Sequence, residues 1–207
     1  MKNLWINVCL LAAGLAGGKA HALPALQVAN GLLIGAIGVE VTVNNVISRY
    51  DVTFEGGACA ALFNGCDSSA DFVFSTDEEA LAASQALLDT VFLDGASGPF
   101  DSAPDTVAGC LDNTACMVLT PYAFGRDVPG LADAGYALNL FGPLEDLPAL
   151  AAIGPSDDLS PEGFVFAVWS RTPTQAVPEA PPLALAGAGL MACAATRRRS
   201  RRGQGAG

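Results

Sequence analysis

Alternating apolar and polar residues predict β-structure in the first third of the chain. Residues 39–44 and 50–55 each alternate between β-branched or aromatic side chains and polar ones, with a short gap between the two runs. A period of two puts one set of side chains on each face of a strand, so the pair predicts a β-hairpin. Residues 32–37 form either an extra strand or the start of the first one. Phe72–Phe74 is predicted to be a further short strand.

The pattern changes to a helical period after this region. Thr76 followed by Glu79 matches a capping box, which marks a helix N-terminus. Apolar residues then recur every three or four positions, Leu88 and Val91 among them, until Asp94. The spacing predicts one amphipathic helix over residues 77–93.

The second half of the chain predicts more strands. Met117–Tyr122 and Tyr136–Phe141 have strand-like patterns, and Phe164–Trp169 is an unbroken apolar run typical of a buried central strand. Leu144–Ile153 is predicted to be a short helix interrupted by Pro148. The elements together predict an α+β fold, with an antiparallel β-sheet of about five to seven strands and one main amphipathic helix.

The N-terminus has the pattern of a secretory signal peptide over residues 1–22. Lys2 provides a positive start, and residues 6–16 form an apolar region too short to span a membrane. Ala20-His21-Ala22 fits the small-residue rule for signal peptidase, which predicts cleavage before Leu23. Cys9 lies inside the apolar region, which argues against lipidation. A retained N-terminal anchor helix is the alternative.

The C-terminus, residues 175–207, has three consecutive parts. A short motif is followed by an apolar run, Leu183–Ala195, and then by an arginine cluster. The motif consists of Val177, Pro178, Glu179 and Ala180, and the cluster of Arg197, Arg198, Arg199, Arg201 and Arg202. Prolines keep the motif extended, an apolar run partitions into lipid, and arginines remain on the cytoplasmic side and stop transfer.

This arrangement resembles the PEP-CTERM sorting signal of Gram-negative bacteria, although Ala180 stands where the family motif has a second proline. Residues 47–110 also resemble the body of an uncharacterised group of PEP-CTERM proteins. The resemblance implies export through the Sec translocon, signal peptidase cleavage and handling by a membrane-embedded exosortase. It also implies an exopolysaccharide-producing host, and transient or permanent membrane anchoring through the C-terminal helix. An ordinary C-terminal membrane anchor is the alternative.

The segment between the two ends, residues 23–174, is one domain in length and strongly acidic. It contains twenty carboxylates against three arginines, a formal charge of −17, and it has no Lys and no His. Such a charge repels phosphate backbones, which excludes nucleic acid as a partner. It favours divalent cations, cationic surfaces or neutral sugars.

Four of the six cysteines lie in this domain: Cys59, Cys66, Cys110 and Cys116. An even number in an exported chain predicts two disulfides, and four cysteines allow three connectivities. The local pairs Cys59–Cys66 and Cys110–Cys116 are favoured, because each brackets a loop containing Gly or Asp. The alternative is a zinc site of four thiolates, which these spacings fit poorly.

The missing residue types limit the chemistry. Without His or Lys in the domain, nucleophile–His and Ser–Lys catalysis have no base. No phosphate-binding glycine motif is present. A pair of carboxylates, which could hydrolyse glycosidic bonds, is the remaining catalytic option. We predict no catalytic residues and no enzymatic activity.

Calcium is the metal that acidic loops of an exported protein would bind, because it prefers oxygen ligands. Asp67 and Asp71 flank two serines after Cys66, and Asp101, Asp105 and Asp112 lie in a turn-rich segment. Solvated acidic loops explain the same pattern without a ligand.

We therefore expect an exported cell-envelope or extracellular-matrix protein with no required cofactor. The alternative is a calcium- or carbohydrate-binding adhesion module, and a carboxylate-dependent glycoside hydrolase is a third hypothesis.

Overall fold

The computed structural model describes residues 23–142, 145–160 and 163–172. The predicted signal peptide, residues 1–22, and the predicted sorting segment, residues 175–207, lie outside this part. Within the described ranges, no helix combines the length and hydrophobicity that a membrane crossing would require.

The core of the fold is a seven-stranded mixed sheet with one main helix, an α+β arrangement. Its strand order is β1-β2-β3-β9-β6-β7-β8, and a two-stranded ribbon, β4–β5, lies apart from it. The strands are β1 (Ala25–Ala29), β2 (Leu32–Val43), β3 (Val46–Glu55), β4 (Asp94–Gly95), β5 (Gly98–Pro99), β6 (Ala115–Phe124), β7 (Ala132–Leu140), β8 (Leu147–Ile153) and β9 (Phe164–Arg171). The helices are α1 (Cys59–Leu62) and α2 (Asp77–Thr90).

The predicted hairpin is confirmed as β2–β3, and β1 extends it into a three-stranded meander. Asn44 and Asn45 form its two-residue turn with φ of 50° and 62°, and Asn30 and Gly31 form the β1–β2 turn with φ of 54° and 81°. Positive φ at both turn positions is typical of the hairpin turns that match strand twist. The Asn-Gly pair was a sequence signal for β1 that the pattern analysis missed.

The prediction of a wholly antiparallel sheet is wrong at one pair of strands. β9 lies between the two meanders, antiparallel to β3 and parallel to β6. Every other neighbouring pair among the described strands is antiparallel. β9 is in the middle of the sheet, as its unbroken apolar sequence predicted.

The predicted helix at Leu144–Ile153 is wrong, because residues 147–153 form the edge strand β8. Leu140 of β7 directs its N–H towards this side of the sheet, onto Asp146 Oδ1 at 2.8 Å. Strand residues two apart direct their N–H groups to the same neighbouring strand, so Leu138 also faces β8. Leu138 is paired with Leu147, and the next residue, Pro148, therefore faces away from β7. A proline whose missing donor points outwards is compatible with an edge strand.

Helix α2 covers one face of the sheet. Thr76 Oγ1 accepts the N–H of Glu79 at 3.2 Å and caps the helix, as predicted, while the Glu79 carboxylate accepts the N–H of Ser75 at 2.8 Å. The helix ends at Thr90, three residues earlier than predicted. It packs across β2, β6, β7 and β8, and so spans both meanders.

The predicted strand at Phe72–Phe74 does not form. A 3₁₀ turn at Ser69–Asp71 precedes it, and its two phenylalanines belong to opposite faces of the sheet. Phe72 packs on Phe63, whereas Phe74 packs on Tyr50. The segment is therefore held by burial of its rings on two sides and not by strand pairing.

Two disulfides, Cys59–Cys66 and Cys110–Cys116, each close a loop, and the two loops lie on opposite faces of the sheet. The first closes the α1 loop, whose Phe63 packs on Phe166 at the face opposite α2. The second joins the turn-rich segment to the start of β6. The favoured pairing is confirmed, and the four-thiolate zinc site is excluded because all four sulfurs are bonded in pairs.

Candidate binding crevice between two diverging strands

The parallel strands β6 and β9 separate towards their C-terminal ends. Their register pairs run from Met117–Phe164 to Leu119–Phe166, and no pair follows in the described strands although both continue for five residues. Across the resulting gap, Trp169 Nε1 donates a hydrogen bond to Thr120 Oγ1 at 3.1 Å. The divergence opens a crevice at the C-terminal ends of two parallel strands, a frequent location of ligand sites.

We call this cavity, of about 150 Å³, the β6–β9 crevice. Its lining comes from β6, from β9 and from the segment after α1. The lining residues are Leu62, Phe63, Asp71, Val73, Phe74, Pro121, Ala167, Val168 and Trp169. Asp71 is the one charged side chain in this lining and the others are aliphatic or aromatic, although polar atoms contribute about as much of the cavity surface as apolar ones.

The aromatic wall of the crevice consists of buried rings in contact with one another. Phe74 and Trp169 meet nearly edge-to-face with ring centroids 5.5 Å apart, and the Tyr50 ring contacts both of them. Phe74 is 2% exposed and Trp169 is 6% exposed. Buried rings in fixed edge contacts present a preformed surface to a ligand.

Asp71 is held in the wall by its own turn. Its Oδ2 accepts the N–H of Ser68 at 3.1 Å and its Oδ1 accepts Asn64 Nδ2 at 3.3 Å. The same turn is fixed to β6, because Ser69 Oγ accepts the N–H of Phe124 at 3.1 Å. A carboxylate has about four acceptor positions, so Asp71 retains capacity for a further donor.

A second cavity, the β8 groove, lies on the face opposite α2 and has a volume of about 320 Å³. Its walls come from β6, β8 and the loop before β9. The lining residues are Met117, Leu119, Leu131, Ala151, Ala152, Ile153, Gly154, Asp157, Leu159 and Phe164. It is an apolar groove with one acidic residue, Asp157, at its side.

The predicted calcium ligands lie in turns, where they are exposed or accept local hydrogen bonds. Asp67 is exposed, and Asp71 is engaged in its turn. Asp112 is occupied locally, because its Oδ1 accepts both the N–H and the hydroxyl of Thr114, at 2.8 and 2.7 Å. Among the described residues, no group of three or more Asp, Glu, His or Cys side chains is arranged to hold a metal ion. Asp101 and Asp105 lie in the same turn-rich segment, and Asp101 gives its N–H to Asp94.

The carboxylate pair that glycoside hydrolysis requires is not found in either of these two cavities. Each has a single acidic residue in its lining, Asp71 in one and Asp157 in the other. Burial and a hydrogen bond to Asp127 raise the pKa of Tyr122 to about 12, so this phenol stays protonated. It therefore offers no base near neutrality.

Sequence reasoning identified Asp71 but not the crevice. The three residues that give the crevice its shape, Phe74, Pro121 and Trp169, come from distant parts of the chain. Pro121 was the one local signal, because a proline inside a strand marks a place where pairing changes.

Comparison with known proteins adds no assignment. No protein-family model matches the chain, and no curated protein or solved structure is significantly similar to it. The resemblance of the C-terminal segment to a sorting signal thus rests on its own residues.

Proposed function

We propose that this chain is an exported, non-enzymatic protein of the cell envelope or extracellular matrix, delivered by a PEP-CTERM/exosortase system. The observation that carries the proposal is the pair of disulfides in the domain between two predicted targeting segments. Disulfides persist in oxidising compartments and are rare in the cytosol. The domain's excess of carboxylates agrees with a soluble exported protein.

The C-terminal order of motif, apolar run and arginine cluster supports sorting as opposed to simple secretion. In this proposal the exosortase cleaves near Pro178–Glu179 and releases the domain or joins it to another envelope component. The domain itself acts by binding, through preformed surfaces such as the β6–β9 crevice.

The test is the intact mass of the protein isolated from its host, first without and then with reduction. We expect a chain that begins at Leu23, ends near Pro178 and gains four hydrogens on reduction, two for each disulfide. A chain that retains Arg202 would refute sorting and show a plain anchor. A chain found in the cytoplasm with free thiols would refute export.

A matched pair of variants separates motif recognition from general effects on the C-terminus. Glu179→Ala changes the motif, and we expect this chain to remain uncleaved and therefore to keep the arginine cluster. Gln175→Ala lies just before the motif and is expected to be processed like the unmodified chain. Equal processing of both variants would contradict recognition of the motif.

A further inference from the structure

The β6–β9 crevice has the size of a single side chain. Small-molecule sites usually enclose roughly 300–1,000 Å³, whereas this crevice holds about 150 Å³. Interfaces between proteins commonly use such small apolar pockets to hold one anchoring side chain. The crevice therefore suits one residue of a partner protein and not a whole ligand.

The lining selects for a side chain that is apolar along its length and positive at its end. Val73, Phe74 and Trp169 provide apolar walls, and Asp71 provides the carboxylate. Lysine and arginine have such a form, because an aliphatic stem carries the charge at its tip.

The charge of the surrounding domain favours the same class of partner. Its three cations are already engaged: Arg49 pairs with Glu40, Arg171 lies over the Tyr50 ring at 5.8 Å, and Arg126 Nη1 lies 3.5 Å from the Ser75 carbonyl oxygen. A domain of formal charge −17 attracts cationic segments and repels anionic ones.

Lysine fits the carboxylate better than arginine does. Both oxygens of Asp71 already accept one hydrogen bond each, from Ser68 and from Asn64. A guanidinium fork needs two oxygens free in one plane, whereas an ammonium is a point charge that one remaining acceptor position satisfies. The domain has no lysine of its own to compete, since Lys2 and Lys19 lie in the predicted signal peptide.

We propose that the β6–β9 crevice binds a lysine side chain of a cationic partner protein. The ammonium group donates to Asp71, and the methylene stem lies against Val73, Phe74 and Trp169. This inference concerns what the domain binds and does not depend on how the chain is sorted.

Trp169 is a built-in reporter for this binding, because it lines the crevice and the other tryptophan is Trp5. The full chain carrying Trp5→Phe has Trp169 as its sole tryptophan. The probe is the capped peptide Gly-Gly-Lys-Gly-Gly, titrated while tryptophan emission is recorded. The control peptide carries Nε-acetyllysine, which has the same stem and no charge. We expect a saturable change with the lysine peptide and none with the acetylated one.

Two variants and one matched control test the geometry. Asp71→Asn removes the charge in the crevice, and a charge-assisted hydrogen bond of typical strength predicts about a tenfold or greater loss of affinity. Val73→Phe fills the crevice at a residue that is 37% exposed without adding a tryptophan, and is expected to abolish binding while the Asp71 carboxylate stays in place. Asp67→Asn makes the same charge change at an exposed neighbour outside the lining, and is expected to weaken binding less than about twofold.

Equal losses in Asp67→Asn and Asp71→Asn would overturn the proposal, since they would show general attraction to an acidic surface. Undiminished binding by Val73→Phe, equal binding of the acetylated peptide, or no saturable change of emission would each overturn it too. Thermal unfolding of every variant, followed by the same emission, verifies that the compared chains are folded.

Discussion

The position of α2 on the sheet depends on the absence of a side chain at Gly135 of β7. A Cβ placed there would lie 2.9 Å from the carbonyl carbon and oxygen of Ala80, and 3.0 Å from its Cβ. The first two are backbone atoms of α2 and the Cβ is fixed to that backbone, so none of them can rotate away as the end of a flexible side chain would. The helix must move as a unit to admit even one methyl group.

Gly135→Ala is therefore expected to destabilise the fold. Adding one carbon to a packed core usually lowers the free energy of unfolding by about 1–3 kcal/mol. Replacing glycine by alanine raises it by roughly 0.4–1 kcal/mol, because the unfolded chain loses conformational entropy. Gly95→Ala is the matched control, because a Cβ at Gly95 meets no atom within 4 Å and its φ is not positive. The contribution of the unfolded chain is common to both variants, so their difference isolates the clash with α2.

The assay is urea unfolding of both variants under non-reducing conditions, followed by circular dichroism. We expect Gly135→Ala to be less stable than Gly95→Ala by about 1–3 kcal/mol, which corresponds to a Tm difference of about 2–12 °C for a domain of this size. Free energies of unfolding within about 0.5 kcal/mol of each other would refute the close contact between Gly135 of β7 and Ala80 of α2.

Three further changes test the loops and the helix terminus. Replacing Cys110 and Cys116 by alanine is expected to lower the free energy of unfolding by about 2–2.5 kcal/mol through loop entropy, measured by urea unfolding; no loss would contradict a stabilising disulfide. Thr76→Ala removes the α2 cap and should cost about 1 kcal/mol, whereas Thr76→Ser should retain most of the stability. The N–H of Thr114 holds the pKa of Asp112 below its ordinary value, so the stabilising effect of this carboxylate is present above that ordinary value and is lost as pH falls through the lowered pKa. Asp112→Asn should accordingly reduce the loss of unfolding free energy between about pH 4 and pH 2. The same pH dependence in both chains would show that this carboxylate is not coupled to folding.

Local patterns predicted those elements whose stability is local. The β2–β3 hairpin and α2 were found because each has its own period and its own turn or cap, such as Thr76 with Glu79. The disulfide pairing followed from short separations along the chain, seven residues for Cys59–Cys66 and six for Cys110–Cys116. Such signals need no knowledge of the rest of the fold.

Elements defined by their neighbours were not predictable in the same way. β8 can contain Pro148 because it is an edge strand and the proline faces outwards, and nothing in the sequence shows which strand is an edge. The direction of β9 relative to β6, and hence the crevice between them, depends on where the chain returns after β8. Asp71 was identified by residue type as a calcium ligand, whereas in the fold it belongs to a turn and to the crevice wall.

The position of β9 has a consequence for the order in which the domain is completed. β9 is the last strand along the chain, yet it joins the β1–β3 meander to the β6–β8 meander. Until β9 is in place, the two meanders have no strand between them, and the backbone edges of β3 and β6 that β9 occupies are open. The complete sheet can therefore form only when nearly the entire domain is available. Because β9 ends at Arg171, any pull exerted on the chain beyond that residue acts directly on the strand that holds the two halves together.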